Sequence, residues 1–269
     1  MSAHPDLIVV LQMESIPAPE KVRSSGTVQS VDRASALLDV FVDAGRSMTA
    51  LELSSATGLE RTIVHRLLRS LVANKLIVHA DFGRYDLGPR LLRLGNSYLD
   101  RLPLRHIALP YVIDISNRLD PAEPWVAGVA IPIEGYSIVV DRLWRPAAPL
   151  DSLLNVGTRI PLPDSATGLS LLARYDEATV RELCGDERYE SLKGRLEKIR
   201  QRNFLEFNSE LRPGISAIAA SIGDRVGRPV GAISVVGLNL ESHLHETSEI
   251  AQHVSRAAQA LTNVLADPR

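Results

Sequence analysis

The chain has 269 residues, 45% of them hydrophobic, and a formal net charge of −2, which predicts two globular domains with ordinary cores. Its one cysteine, Cys184, excludes an internal disulfide framework and any Cys-rich zinc finger, fits a reducing compartment, and reads as a buried small hydrophobe. The apolar segment Leu7 to Met13 is short, with no basic flank before it and no cleavage pattern after it, so neither a signal peptide nor a membrane span is expected and the chain reads as cytoplasmic.

Residues 1–26 carry Pro5, Pro17 and Pro19 and lack sustained periodicity, the pattern of a flexible arm. Val28 to Ala44 predicts a first helix capped by Ser30, with Val31, Ala34, Leu37, Leu38, Phe41 and Val42 on its buried face and Arg33 facing outward. Thr49 and Glu52 have the spacing of a capping box, so a short helix begins near Ala50, and Thr57-Gly58 ends it. A second helix follows from Glu60 to Ala73, its stripe formed by Ile63, Val64, Leu67, Leu68, Leu71 and Val72. Arg61, Thr62, His65, Arg66 and Arg69 share the opposite side, where donors could reach phosphates and base edges of a duplex together. Leu76 to Ala80 and Tyr85 to Leu87 read as two strands around a turn at Asp81 to Arg84, which would hold Arg84 out toward a phosphate or minor groove.

One basic amphipathic helix is ordinarily a solvated helix. Here a capped short helix, a Gly turn, a basic helix and a Gly-tipped hairpin occur in the order a winged helix-turn-helix requires. Between Leu59 and Arg105 the chain carries nine Lys or Arg against four Asp or Glu.

Pro89 starts a further helix to about Arg101, whose Leu91, Leu92, Leu94, Tyr98 and Leu99 are more apolar than a lone connector tolerates in water, so it should pack on a partner. Pro103 breaks it before a helix over Leu104 to Leu119. Trp125 to Ile133 and Tyr136 to Trp144 form a hairpin around Glu134-Gly135. A helix opens at Ser165-Ala166-Thr167-Gly168, two more follow over 177–184 and 189–202, and Ser216 to Ile222 and Val230 to Gly237 make a second hairpin before a last helix over 246–265. Strands, inserted helices and strands again give an α+β plan in which helices flank a mostly antiparallel sheet. The segments are thus an arm over 1–26, a winged helix-turn-helix domain over 27–88, a linker helix over 89–103 and an α+β domain over 104–269.

The segments VQSVDRASALLDVF, LERTIVHRLLRSLVANKLI and GRYDLGPRLLRLG, and later LLNVGTRIPLPDSATGLSLLA and GISAIAASIGDRVGRPVGAISVVG, together resemble the IclR family of bacterial transcriptional regulators. The resemblance implies a winged helix-turn-helix, a linker helix that contributes to dimerisation, and a GAF-like effector domain. It implies double-stranded DNA, a small-molecule effector and a second or fourth copy of the chain as partners, with no cofactor and no membrane. The DNA-facing set becomes Arg33, Thr49, Arg61, Thr62, His65, Arg66, Arg69 and Arg84. Effector contacts fall on Ala166, Thr167, Phe207, Ala217 and Ser234, with Trp125 and Trp144 as candidate walls. Several family members carry Asp where this chain has Phe207 and Cys where it has Ala217. The exchange favours an organic acid with an aromatic or alkyl body, its carboxylate near Ala166 and Thr167.

An enzyme is the competing class, yet no nucleophile elbow, phosphate loop, His-Glu-x-x-His or Cys-x-x-Cys occurs. His243 and His245 with His253 fall short of a metal pattern and read as surface histidines. A second alternative is a small-molecule-binding module that acts through protein partners rather than DNA.

Overall fold

The computed structural model describes residues 26–144, 154–202, 205–208, 214–238 and 247–266, and the chain divides into two units between Tyr98 and Leu99. Nearly all of the arm, together with His243 and His245, lies outside the described residues.

In the first unit, α1 (Gln29–Ala44) starts from Val28 rather than Ser30. No side chain caps it. Thr27 instead donates its hydroxyl hydrogen to Asp32 in the first turn, at 2.9 Å. Leu37 and Phe41 are buried, whereas Val31 and Val42, expected on the same face, are exposed, because the short elements packed against α1 cover only a narrow stripe of it.

After β1 (Met48–Thr49) come α2 (Ala50–Thr57) and α3 (Arg61–Ala73), then the wing strands β2 (Ile77–Ala80) and β3 (Arg84–Leu87), in an antiparallel sheet of order β1-β3-β2. The capping box is complete: the Thr49 hydroxyl accepts from the Glu52 N–H at 3.2 Å, and the Glu52 carboxylate accepts from the Thr49 N–H at 2.7 Å. Gly58, at φ 68°, supplies the left-handed residue that turns the chain into α3. Helices this short are marginal alone. Leu37, Phe41, Met48, Leu53, Val64, Leu68, Leu71 and Ile77 hold them in one core, each large side chain contributing about 1.5–3 kcal/mol of burial.

Helix α4 (Pro89–Leu99) buries none of its side chains, and Leu92, Leu94 and Tyr98 are exposed. The second unit opens with α5 (Pro103–Asn117), started by Pro103. Its sheet has the order β6-β5-β4-β9-β8-β7, every neighbouring pair antiparallel. The strands are β4 (Trp125–Ile133), β5 (Tyr136–Trp144), β6 (Arg159–Pro161), β7 (Leu205–Asn208), β8 (Ile215–Gly223) and β9 (Pro229–Leu238). The short edge strands β6 and β7 have no counterpart in the sequence reading. Helix α5 and α9 (Glu249–Ala266) cover one face, over Ala127, Val129, Ile218 and Ile233. On the other face α6 (Ala166–Leu172) and α8 (Asp186–Arg202) cover Ala217, Ala219 and Ala232, and α7 (Glu177–Cys184) adds Val180 to the same core. Burial on both faces explains the nearly unbroken apolar runs of β4, β8 and β9. The architecture is α+β. Among the described residues no helix is long and apolar enough to cross a membrane.

Candidate functional site

Helix α3 turns Val64, Leu68 and Leu71 into the core and leaves Arg61, Thr62, His65, Arg66 and Arg69 exposed on its outer side. Arg61, Arg66 and Arg69 have no carboxylate partner among the described residues. Three guanidinium groups, a hydroxyl and an imidazole are therefore free to meet an anionic surface. Arg33 is half-buried on α1. Thr49 is half-buried too, and its hydroxyl already serves the α2 cap while donating to Glu52 Oε2 at 2.9 Å.

The expectation that the wing extends Arg84 outward is corrected by the structure. Arg84 folds back: its Nη2 donates to both Glu52 oxygens at 3.0 and 2.9 Å and to the Ser47 carbonyl at 2.8 Å. Arg46 Nη1 reaches the same carboxylate at 2.8 Å. Held by the Thr49 N–H first and by Arg46 next, Glu52 is lowered from 4.5 to about 2. The β3 register places Arg84 opposite Thr49 of β1, beside Glu52. A partner so close wins over solvent. The wing tip instead presents Phe82, 97% exposed at φ 58°, a left-handed conformation that costs a residue with a Cβ about 1–2 kcal/mol.

In the second unit, Ala166 and Thr167 begin α6, and Ala217 and Ser234 lie on the sheet face that this helix covers. Phe207 stands opposite Ala217 in register, and its side chain is outside the described residues. Trp125 does not join them. Its side chain is 2% exposed in the core under α5 and α9, on the reverse face, and its indole N–H donates to the Asp120 carbonyl at 2.8 Å. Strand alternation decides this, since Val126 and Trp125 necessarily face opposite ways. Trp144 lies on the α6 face, in the cross-strand row Trp144, Val126, Val236, Ala217, Phe207. The Arg142 guanidinium stacks 4.5 Å from its ring centre.

At the start of α6 the buried hydroxyls of Ser137, Ser165 and Thr167 lie 3.2–3.4 Å from one another. Gly168 lets the helix lie against Leu162. A Cβ there would sit 2.1 Å from the Leu162 carbonyl oxygen.

Two domain profiles match this architecture: the IclR helix-turn-helix domain over residues 30–80 and the bacterial transcriptional regulator IclR C-terminal domain over residues 96–263. The chain belongs to the IclR family of bacterial transcriptional regulators. It is similar to the glycerol operon regulatory protein of Streptomyces coelicolor, 32% identical over 226 residues that cover 78% of this chain and 85% of the relative. An IclR transcriptional regulator from Alicyclobacillus acidocaldarius shares the fold with a TM-score of 0.74 at 22% identity, over 89% of this chain and 98% of that one. An IclR homologue from Microbacterium hydrocarbonoxydans, solved in complex with 4-hydroxybenzoate, shares it with a TM-score of 0.72 at 21% identity, over 88% and 98%.

The IclR chain described here is therefore a DNA-binding transcriptional regulator with an effector-binding domain, not an enzyme. Two site features escaped the sequence reading. Ser137 is the small hydroxyl residue that precedes the apolar run Ile138 to Val140 of β5, a signal that was available. The grip of Glu52 on Arg84 spans 32 positions and had none.

Proposed function

We propose that this regulator binds a palindromic operator as a dimer or tetramer through the outer side of α3, and that a small organic acid with an aromatic or alkyl body switches it. The observation that carries the DNA reading is the joint exposure of Arg61, Thr62, His65, Arg66 and Arg69 on one helical side without a carboxylate partner among the described residues. Arg33 and Thr49 are the supporting contacts of this reading. A single winged unit reads only a few base pairs, so two copies at fixed spacing are needed for a palindrome. The apolar side chains that α4 leaves uncovered in one chain, Leu92, Leu94 and Tyr98, suit a second copy.

For the effector, Ala217 and Val236 supply an apolar floor and Trp144 an aromatic edge. The Ser137, Ser165 and Thr167 hydroxyls supply the polar end for a carboxylate. That the homologue from Microbacterium hydrocarbonoxydans is complexed with 4-hydroxybenzoate supports an acid of this class.

A mobility-shift titration against the chain's own promoter, repeated with benzoate, 4-hydroxybenzoate and pyruvate, tests both parts. Operator binding at low salt that an aromatic acid alters and pyruvate does not is the result the proposal requires. No promoter affinity at low ionic strength would point to a regulator acting through protein partners. A response to pyruvate alone would refute the apolar effector.

A further inference from the structure

Past the end of α6, Arg174 crosses to the outer edge of β8. Strand β7 pairs with β8 only from Ser216 to Ala219, so beyond that point this edge has no strand partner among the described residues. Arg174 Nε donates to the Ser221 hydroxyl at 2.7 Å and Nη2 to the Ser221 carbonyl at 3.2 Å. Its remaining nitrogen, Nη1, lies 2.8 Å from where a Cβ on Gly223 would be. Glycine at that position leaves the guanidinium its room.

Ser255, Arg256 and Gln259 of α9 line the other side of a cavity of about 230 Å³, which Arg174 and Ser221 complete. Arg174 is half-buried, and burial alone pushes its guanidinium below the usual arginine range. Neither Arg174 nor Arg256 pairs with a carboxylate among the described residues. Arg256 uses Nε on the Gln252 carbonyl of its own helix. Asp224, the acidic residue next to Gly223, is held by the N–H groups of Val226 and Arg228. Two cations thus line one cavity, Arg174 half-buried and Arg256 exposed, with hydroxyl and amide donors and no counter-charge among the described residues; the half-buried guanidinium costs free energy until an anion offsets it.

We propose that this cavity binds a small anion, a phosphoryl or carboxylate group, at a site separate from the hydroxyls at the start of α6. Arg174 lies seven positions after Thr167 and past the end of α6, whose five helical steps from Thr167 to Leu172 alone span about 7.5 Å. Ser221 holds Nε and Nη2 of Arg174 and so fixes the plane of the guanidinium, leaving Nη1 as its main donor to an anion, and Arg256 and the Ser255 hydroxyl complete the donor set.

Calorimetric titration of the full chain with inorganic phosphate, and separately with succinate at matched ionic strength, tests the site. Saturable binding of at least one anion is expected, weakened roughly tenfold or more by Arg174→Gln and by Arg256→Gln. The second replacement changes an exposed side chain and leaves the core intact. Thr167→Val should leave this binding unchanged, which separates the site from the effector reading. Tighter phosphate identifies a phosphorylated ligand, and tighter succinate a carboxylic acid. Absence of saturable binding by both anions, binding indifferent to both arginine replacements, or loss only in Thr167→Val would overturn the proposal.

Discussion

Glu52 closes the first turn of α2 and also receives Arg84 from the wing, whose Nη2 lies 2.9 Å from Oε2 and 3.0 Å from Oε1. One carboxylate therefore serves as helix cap and as latch between the helix-turn-helix and its hairpin. Ser47, whose carbonyl accepts from Arg84, ties the segment before β1 into the same knot.

The latch sets a pH dependence. Glu52 is depressed from 4.5 to about 2 in the folded chain, so its contribution is fully present above pH 4.5 and is lost as pH falls from there toward 2. Glu52→Gln should lower the stability of the first unit at neutral pH and flatten its loss over that acid window. Both tryptophans, Trp125 and Trp144, lie in the second unit. The change should therefore be seen in urea melts followed by helical circular dichroism and be missing from tryptophan fluorescence.

The inward turn of Arg84 separates it from the arginines of α3. Arg66→Ala should weaken operator binding and reduce the slope of log affinity against log salt by about 1, because one phosphate contact and its released counterion are lost. Arg84→Ala should leave the slope unchanged while destabilising the unit. Replacing Thr62 or His65 should alter which operator sequences are preferred. A salt titration in which Arg84→Ala lowers the slope as much as Arg66→Ala would mean that the latch opens on DNA.

Gly168→Ala tests the approach of α6 to Leu162. With a Cβ only 2.1 Å from a backbone oxygen, either α6 or the 3-10 turn that begins at Leu162 must move, at a cost of about 1–3 kcal/mol. The tryptophan-detected transition of the second unit should fall accordingly. An unchanged midpoint would show that the contact relaxes freely.

Leu94→Glu addresses the exposed side of α4. Leu94 is 53% exposed in a single chain, so the replacement should spare the fold of each unit and weaken self-association, which sedimentation velocity measures as a shift toward monomer. Sedimentation identical to the parent chain would remove α4 from the interface.

Much of this molecule is legible in one dimension because its local signals agree with its packing. The Thr49 and Glu52 spacing, the turn at Gly58 and the stripe through Val64, Leu68 and Leu71 each mark a feature that the fold contains. The same holds for the two hairpins of the sheet. What escaped depends on pairings between distant residues. Ser30 looked like a helix start but lies inside α1, where Val28 precedes the first turn without a cap. Arg84 looked like a free cation because its partner is 32 positions away. Trp125 and Trp144 had equal claims on the effector face until register put them on opposite sides of the sheet, and β6 and β7 are too short to leave a periodic trace.

The inward-folded Arg84 leaves the wing with little charge of its own to offer a duplex, and the chain as a whole is weakly anionic at −2. Long-range attraction to a polyanion must then come chiefly from one small cationic strip, with the acidic remainder tending to repel. With the outer side of α3 as the DNA-facing side proposed above, approach is polarised: the strip-first attitude is favoured over the others. On that proposal, selection of orientation precedes any reading of bases.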